Sequence, residues 1–290
     1  MAVRLAHHVD VAGFDPLDSS IDRARAAGVA TAATPAEACA GAEIVVVAVR
    51  TLPDVETALF GQGGALDALD PGAVVVLTST VGTPGTRDVA ARCAGRDVRL
   101  LDAPVSGGPL RAASGDLLVL LGGDGETVAR ARDVVDLLAS TVVVVGDRPG
   151  DGQAMKAVNQ LLCGVHIAAA AEALALAQGL GIDPAAALDA LGAGAASSFM
   201  LANRGPRIVE VLAGGSPEVL SRLDIFVKDM GIVAQAGREA GVALPVASAA
   251  EQLYRLGEAA GLASSDDSSV VRLLHGNEVA MSPRRPELRS

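Results

Sequence analysis

The sequence predicts an α/β protein in two parts. A doubly wound sheet comes first, and an all-helical C-terminal domain follows. Three observations predict it. Up to about residue 148, apolar β-branched runs alternate with Ala-rich amphipathic stretches. After "GDRPGDG" (Gly146–Gly152) the Val runs stop and helical periodicity takes over. At the front, the run Val9–Phe14 ends in Asp15. The second strand of a dinucleotide-binding unit ends that way, but such a unit carries a Gly-rich turn about 20 residues earlier. Here Gly13 is the sole glycine before Asp15.

The elements follow from the pattern. Strands are expected at Val9–Phe14, Ile44–Val49, Val74–Leu77, Leu117–Leu121 and Val142–Val145. Their continuous Val runs imply strands covered on both faces. Helices are expected at Ser20–Ala27, Thr86–Cys93 and Glu126–Leu138. Strand–helix–strand repetition of this kind builds a doubly wound sheet. The second part supplies helical stretches at Gln153–Gln178, Pro184–Leu191, Ile208–Ala213, Ile225–Ala240, Pro245–Ala260 and Asp267–Leu274. Domains are therefore placed at residues 1–148 and 149–276. A tail, 277–290, has two prolines and little to bury, so it is expected to fray.

Composition narrows the function. Half the residues are hydrophobic, yet there is no Trp, one Tyr and four Phe, so the core must be Ala, Val and Leu. A net charge of −11 argues against nucleic acid or an anionic membrane as partner. Cys39, Cys93 and Cys163 lack any paired spacing and read as buried thiols in a reducing cytosol. No metal-ligand pattern stands out. No basic-then-apolar leader opens the chain, and the most apolar stretch, Leu161–Gln178, carries His166 and Glu172. A cytoplasmic location without membrane contact is expected.

Four stretches could carry chemistry. In "LTSTVGTPGT", Ser79 and Thr80 fall where a parallel strand ends, the place where open sheets collect ligands; a helix cap is the plainer reading. In "LDAPVSGGPLRAASGDL" (Leu101–Leu117), Ser106, Gly107 and Gly108 leave backbone N–H groups open to a carboxylate, or form a plain turn. In "GDGQAMKAVNQLL" (Gly150–Leu162), Lys156, Asn159, Cys163 and His166 share one helical face among Ala, Val and Leu. A lysine there either reaches water or works chemically, its proton affinity lowered by desolvation. Asn159, one turn on, favours the chemical reading; Cys163 and His166 read as packing. In "DIFVKDMGIVAQA", Lys228 and Asp229 read as a solvated ion pair.

Together these stretches resemble the β-hydroxyacid dehydrogenase family from Met1 to about Leu274. The substrate signature is similar to "DAPVSGG", the catalytic helix to "GDGQAMKAVNQ", the nicotinamide-side threonine to Thr80, the late Lys-Asp to Lys228–Asp229, and the Leu-Pro after the fourth strand to Leu52–Pro53. "NQLLCGVHIAAAAEALALA", "DIFVKD" and "DDSSVV" most resemble the L-threonate dehydrogenase branch, which acts on four-carbon acid sugars. The family usually has Asn where this chain has Gln160, whose longer stem would shift a contact to a substrate hydroxyl.

The resemblance implies a Rossmann-type sheet and oxidation of a small hydroxy acid by NAD. Lys156 would act as general acid/base and Asn159 would position the substrate. Ser106, Gly107 and Gly108 would hold the carboxylate, with Gln160 also at the substrate. Asp15, Leu52, Pro53, Thr80 and Lys228 would border the cofactor. Asp15, with no Arg directly after it, favours NAD over NADP. A homodimer or homotetramer built on the helical half is implied as well. Substrates such as 3-hydroxyisobutyrate or tartronate semialdehyde are the alternatives within the family. A shortened, non-catalytic ligand-binding protein is the alternative outside it. Imine reduction usually replaces the catalytic lysine, so Lys156 argues against it. In family members a strand and a Gly-x-Gly-x-x-Gly turn precede the helix matched by Met1–Ala6; the expectation is a natural start upstream of Met1 and a sheet open at that place.

Overall fold

A computed structural model describes residues 1–274. Tail residues 277–290 lie outside the described residues. The chain forms two compact units: residues 1–164 with 225–251, and residues 165–224 with the chain from 252 onward.

In the first unit, α1 (Ala2–Ala6), β1 (Ala12–Gly13), α2 (Asp18–Ala26), β2 (Ala30–Thr31) and α3 (Pro35–Cys39) come first. Then follow β3 (Ile44–Val47), α4 (Leu52–Phe60), β4 (Val74–Leu77), α5 (Thr83–Ala94) and β5 (Arg99–Asp102). The unit continues with β6 (Val105–Ser106), α6 (Gly108–Ser114), β7 (Leu117–Gly122), α7 (Gly125–Leu138) and β8 (Ala139–Gly146). Local chemistry sets several helix starts. Thr51 and Asp54 form a capping box on α4, Thr34 caps α3, and Asp124 accepts from Thr127 N on α7.

The strands form two sheets. β1 and β2 pair in parallel by themselves. The larger sheet runs β3–β4–β5–β7, with β6 and β8 also paired to β7. β3, β4 and β5 are parallel, with Ile44 opposite Val74 and Val74 opposite Arg99. β7 is antiparallel to β5 and β6, and parallel to β8. The sheet is thus mixed, because the chain reverses through β6 after Asp102. Among the described residues neither β1 nor β2 pairs with β3.

Strand alternation then divides the core into two layers. Val75, Leu77 and Leu100 face Val55 and Leu59 of α4 and Val89 and Cys93 of α5. Val74, Val76 and Leu101 face the other way, toward Leu5 of α1 and Ala131, Val135 and Leu138 of α7. Each such buried Val or Leu contributes about 1.5–3 kcal/mol relative to exposure. This is the two-sided cover that the Val runs predict, and it holds for β4, all four residues of which are buried.

It does not hold for Val142–Val145. In β8, Val143, Val144 and Val145 are 44%, 54% and 38% exposed. β8 pairs only with β7 among the described residues, so as an edge strand it lacks the neighbour that closes over an inner one. Local composition misses β2, β5, β6, α3, α4 and α6, which are short or interrupted by polar residues.

Three helices run through both units: α8 (Asp151–Gly179), α11 (Leu223–Ala240) and α12 (Pro245–Ala259). By length and composition α8 could cross a membrane, despite His166 and Glu172; half of its most apolar stretch is buried inside the protein. The second unit adds α9 (Pro184–Gly192), α10 (Phe199–Leu212) and a 3-10 helix at Asp267–Leu273, where the sequence predicts an ordinary helix. α10 starts nine residues before the predicted Ile208, capped by Ser198 and anchored by buried Leu201, Ile208 and Val211; this packing offsets the hydrogen bond lost at Pro206. Arg204 and Arg207 pair with the fully buried Asp266 and Asp267, fastening α10 to the 3-10 helix.

Candidate active site

The site is built on the start of α8. Lys156 projects from its second turn and is 5% exposed, so the side chain does not snorkel to water. Its Nζ donates to Gln160 Oε1 at 2.7 Å. Asn159 Nδ2 donates to the same oxygen at 2.9 Å, and to Cys163 Sγ at 3.5 Å. Gln160 Nε2 in turn donates to Asp229 Oδ2 at 2.5 Å. Asp229 Oδ1 accepts from Lys228 Nζ at 2.7 Å, and Lys228 also donates to the Thr80 carbonyl at 2.7 Å. A continuous polar chain therefore joins Lys156, Gln160, Asp229, Lys228 and Thr80.

Electrostatics follow from burial. Desolvation holds the Lys156 ammonium below its usual range; Asp229 and Cys163 pull it back up, and Lys228 pushes it further down. Asp229 is 3% exposed, so the Lys228–Asp229 pair is not the solvated ion pair its sequence suggests. α11 packs it against α8, which no local pattern discloses.

A second buried cluster sits one turn earlier. Asp102, at the end of β5, has no exposed surface, and Gln153 is 1% exposed. Asp102 Oδ2 accepts from Gly150 N and Gln153 N, each at 2.9 Å, and Oδ1 accepts from Gln153 Nε2 at 2.9 Å. Burial pushes the Asp102 carboxyl up to about 6, against the lowering effect of these hydrogen bonds. Asp102 opens the "DAPVSGG" stretch and Gln153 belongs to "GDGQAMK", so the two motifs meet at this contact. Neither residue carries a role in the sequence reading; a polar pair inside two Gly-rich motifs was the available signal.

The remaining predicted residues are distributed as follows. Ser106 ends β6, and Gly107 and Gly108 open α6 with φ of +140° and +73°, conformations that favour glycine. A Cβ at Gly108 would meet nothing within 4 Å, so the turn is open on that side. The polar chain around Lys156 does not include these three residues. Covalent continuity through Pro104 and Ala103 links them to Asp102. Leu52, the first residue of α4, packs against the core, while Pro53 is exposed. Asp15 follows β1, and its Oδ1 accepts from Leu17 N at 2.9 Å. Residues 197–203, not placed by the sequence, form the cap and first turn of α10.

The donor set suits a dinucleotide. Asp15, Leu52–Pro53 and Thr80 each follow the carboxyl end of a parallel strand, where open α/β sheets bind such ligands. Val49 N donates to Ser79 Oγ at 2.9 Å, which ties the loops after β3 and β4 together. Among the described residues no group of three or more His, Cys, Asp or Glu side chains could hold a metal ion.

The chain is similar to known proteins along most of its length. Residues 1–146 match the family described as the NAD binding domain of 6-phosphogluconate dehydrogenase. Residues 150–274 match that described as NAD-binding of NADP-dependent 3-hydroxyisobutyrate dehydrogenase. L-threonate dehydrogenase of Cupriavidus necator is 39% identical over 253 residues, covering 87% of this chain and 84% of that protein. The Escherichia coli K12 protein of the same name is 37% identical over 259 residues, covering 89% and 83%. The crystal structure of a 3-hydroxyisobutyrate dehydrogenase from Salmonella typhimurium superposes with a TM-score of 0.86 at 34% identity, covering 94% of both chains.

Proposed function

Because this chain belongs to the β-hydroxyacid dehydrogenase family and is an NAD(P)-binding oxidoreductase, we propose that it oxidises a four-carbon acid sugar, L-threonate, with NAD. The observation that carries this reading is Lys156: a buried amine whose proton affinity is lowered by desolvation, on a helix that matches the family's catalytic one. A lowered proton affinity is what a lysine needs to serve as general base.

The substrate carboxylate rests on Ser106 and on the backbone N–H groups of Gly107 and Gly108. Asn159 and Gln160 orient the substrate hydroxyl toward Lys156 Nζ, which takes its proton in oxidation and returns it in reduction. Asp15 receives the ribose hydroxyls, and its charge disfavours a 2′-phosphate, hence NAD over NADP. Leu52, Pro53, Thr80 and Lys228 border the dinucleotide. The bound nicotinamide supplies the hydride acceptor.

The curated relatives at 39% and 37% identity support L-threonate as substrate. A homodimer also fits, because Met155, Val158 and Leu162 form an exposed apolar stripe on α8 at helical spacing. A reducing cytoplasm suits Cys39, Cys93 and Cys163, none of which forms a disulfide.

The test is reduced-nicotinamide absorbance with L-threonate, D-erythronate, D-glycerate and 3-hydroxyisobutyrate, each with NAD and NADP. L-threonate with NAD is expected to give the highest kcat/KM. A higher value for 3-hydroxyisobutyrate would reassign the substrate. No turnover with any acid would favour the non-catalytic reading.

A further inference from the structure

We infer that Asp102 and Gln153 are positioning residues: together they lock the start of α8 to the loop after β4 and so hold Lys156 and Thr80 in one rigid frame. The inference rests on the catalytic role proposed for Lys156 and extends it to two buried residues outside the polar chain around that lysine.

The argument begins with valence. A glutamine amide offers two N–H donors and two lone-pair directions. In Gln153 all four are used. Nε2 donates to Asp102 Oδ1 at 2.9 Å and to the Ser79 carbonyl at 3.0 Å. Oε1 accepts from Val81 N at 3.0 Å and from Gly82 N at 3.1 Å. The amide therefore cannot flip without placing donor against donor on one side and acceptor against acceptor on the other. Asp102 fixes that choice, because an ionised carboxylate only accepts.

Asp102 also completes the end of the helix. The first N–H groups of an α-helix lack intrahelical partners. Asp102 Oδ2 satisfies two at this end, Gly150 N and Gln153 N. Thr83 Oγ1 adds a bond to the Gly150 carbonyl at 3.1 Å.

Close approach makes this contact feasible. A Cβ at Gly152 would lie 2.6 Å from Leu120 O and 3.0 Å from Asp102 Oδ2; one at Gly122 would lie 2.7 Å from Gly152 N. Only glycine lets the helix start sit this tightly on the ends of β5 and β7.

The consequence reaches the chemistry through geometry. Lys156 stands three residues after Gln153, about 4.5 Å along the axis at 1.5 Å per residue. Thr80 lies between Ser79 and Val81, both held by Gln153, and its own carbonyl is held by Lys228. A misplacement of about 1 Å between reacting groups can cost about 10²-fold in rate.

The experiment is a double-mutant cycle with Asp102→Asn, Gln153→Glu and the pair. Each single change disturbs the match of donor to acceptor at the 102–153 contact. In the pair, the amide introduced at position 102 donates to the carboxylate introduced at position 153, which still accepts from Val81 N and Gly82 N but no longer donates to the Ser79 carbonyl, so the recovery is partial. Each single variant is expected to lower kcat by about 10²-fold with KM within about 3-fold, and the pair to recover about 10-fold of that loss. A role in stability alone would lower Tm and leave kcat unchanged well below it. Unchanged kcat in the singles, or strictly additive losses in the pair, would overturn the inference. Amide exchange by NMR on the unaltered protein gives a readout independent of activity: Val81, Gly82, Gly150 and Gln153 are expected to exchange together in the slow class. Fast exchange at Val81 and Gly82 would also overturn it, even if the variants fail to fold. Absence of turnover in the unaltered protein would instead count against the proposed function and leave the exchange result standing.

Discussion

The Gln160 side chain stands between Lys156 and Asp229, accepting from the lysine at 2.7 Å and donating to the carboxylate at 2.5 Å. One amide thus couples the candidate base to the carboxylate that neutralises Lys228. This arrangement separates the two lysines by role. Lys228 has a direct counter-ion at 2.7 Å, whereas Lys156 receives the carboxylate only through the amide. The indirect contact suits Lys156 to a group that must lose and regain a proton.

Lys156→Met removes that proton acceptor while keeping the length and apolar stem of the side chain. Turnover is expected to fall by about 10³-fold, within the range for loss of a general base, with NAD affinity nearly unchanged. Steady-state kinetics and cofactor titration by fluorescence check it; retained turnover would remove Lys156 from the mechanism.

The acid limb of the oxidation rate reports Lys156 losing its proton, so activity rises with pH through that transition. Asp229 raises and Lys228 lowers the proton affinity of Lys156, on top of the dominant lowering by burial. Asp229→Asn is therefore expected to move the limb to lower pH, and Lys228→Met to move it to higher pH. The stability sign is consistent. A lysine depressed in the folded state favours folding most above its unfolded value of about 10.4, and that contribution is lost as pH falls toward the folded value. Limbs that stay together in kcat/KM profiles of the three proteins would show that the lysines and Asp229 are not coupled.

Asp15→Ser replaces the ribose acceptor and removes the charge that repels a 2′-phosphate. The NAD/NADP ratio of kcat/KM is expected to fall by about 10-fold or more, equivalent to about 1.4 kcal/mol. An unchanged ratio would free Asp15 from any part in cofactor choice.

Gly152→Ala places a methyl group 2.6 Å from the Leu120 carbonyl, a backbone atom that cannot swing away. The strain is expected to cost about 1–3 kcal/mol, outweighing the helix-propensity gain of about 1 kcal/mol. Thermal unfolding should show a lower Tm; a higher one would mean that α8 has slack at its start.

The amino-acid sequence alone determines the layered plan and singles out the lysine proposed as the general base. Val74–Leu77 forms β4 with the predicted bounds, and Gln153–Gln178 lies within α8, because hydrophobic period is a local property. A lysine among Ala and Val on a helix is likewise visible locally. What only the tertiary structure decides is which polar groups meet it. Asp229 lies 69 residues beyond Gln160, and its neighbour Lys228 makes it look solvated until α11 packs on α8. Asp102 ends a strand too short and too polar at its ends to be seen, and finds Gln153 51 residues later. The edge position of β8 is also topological: its valines match those of inner strands, but exposure depends on whether another element lies alongside. Period records which face is apolar, whereas a buried polar contact needs two distant segments brought within hydrogen-bond reach. That condition is set by the packing of the whole unit.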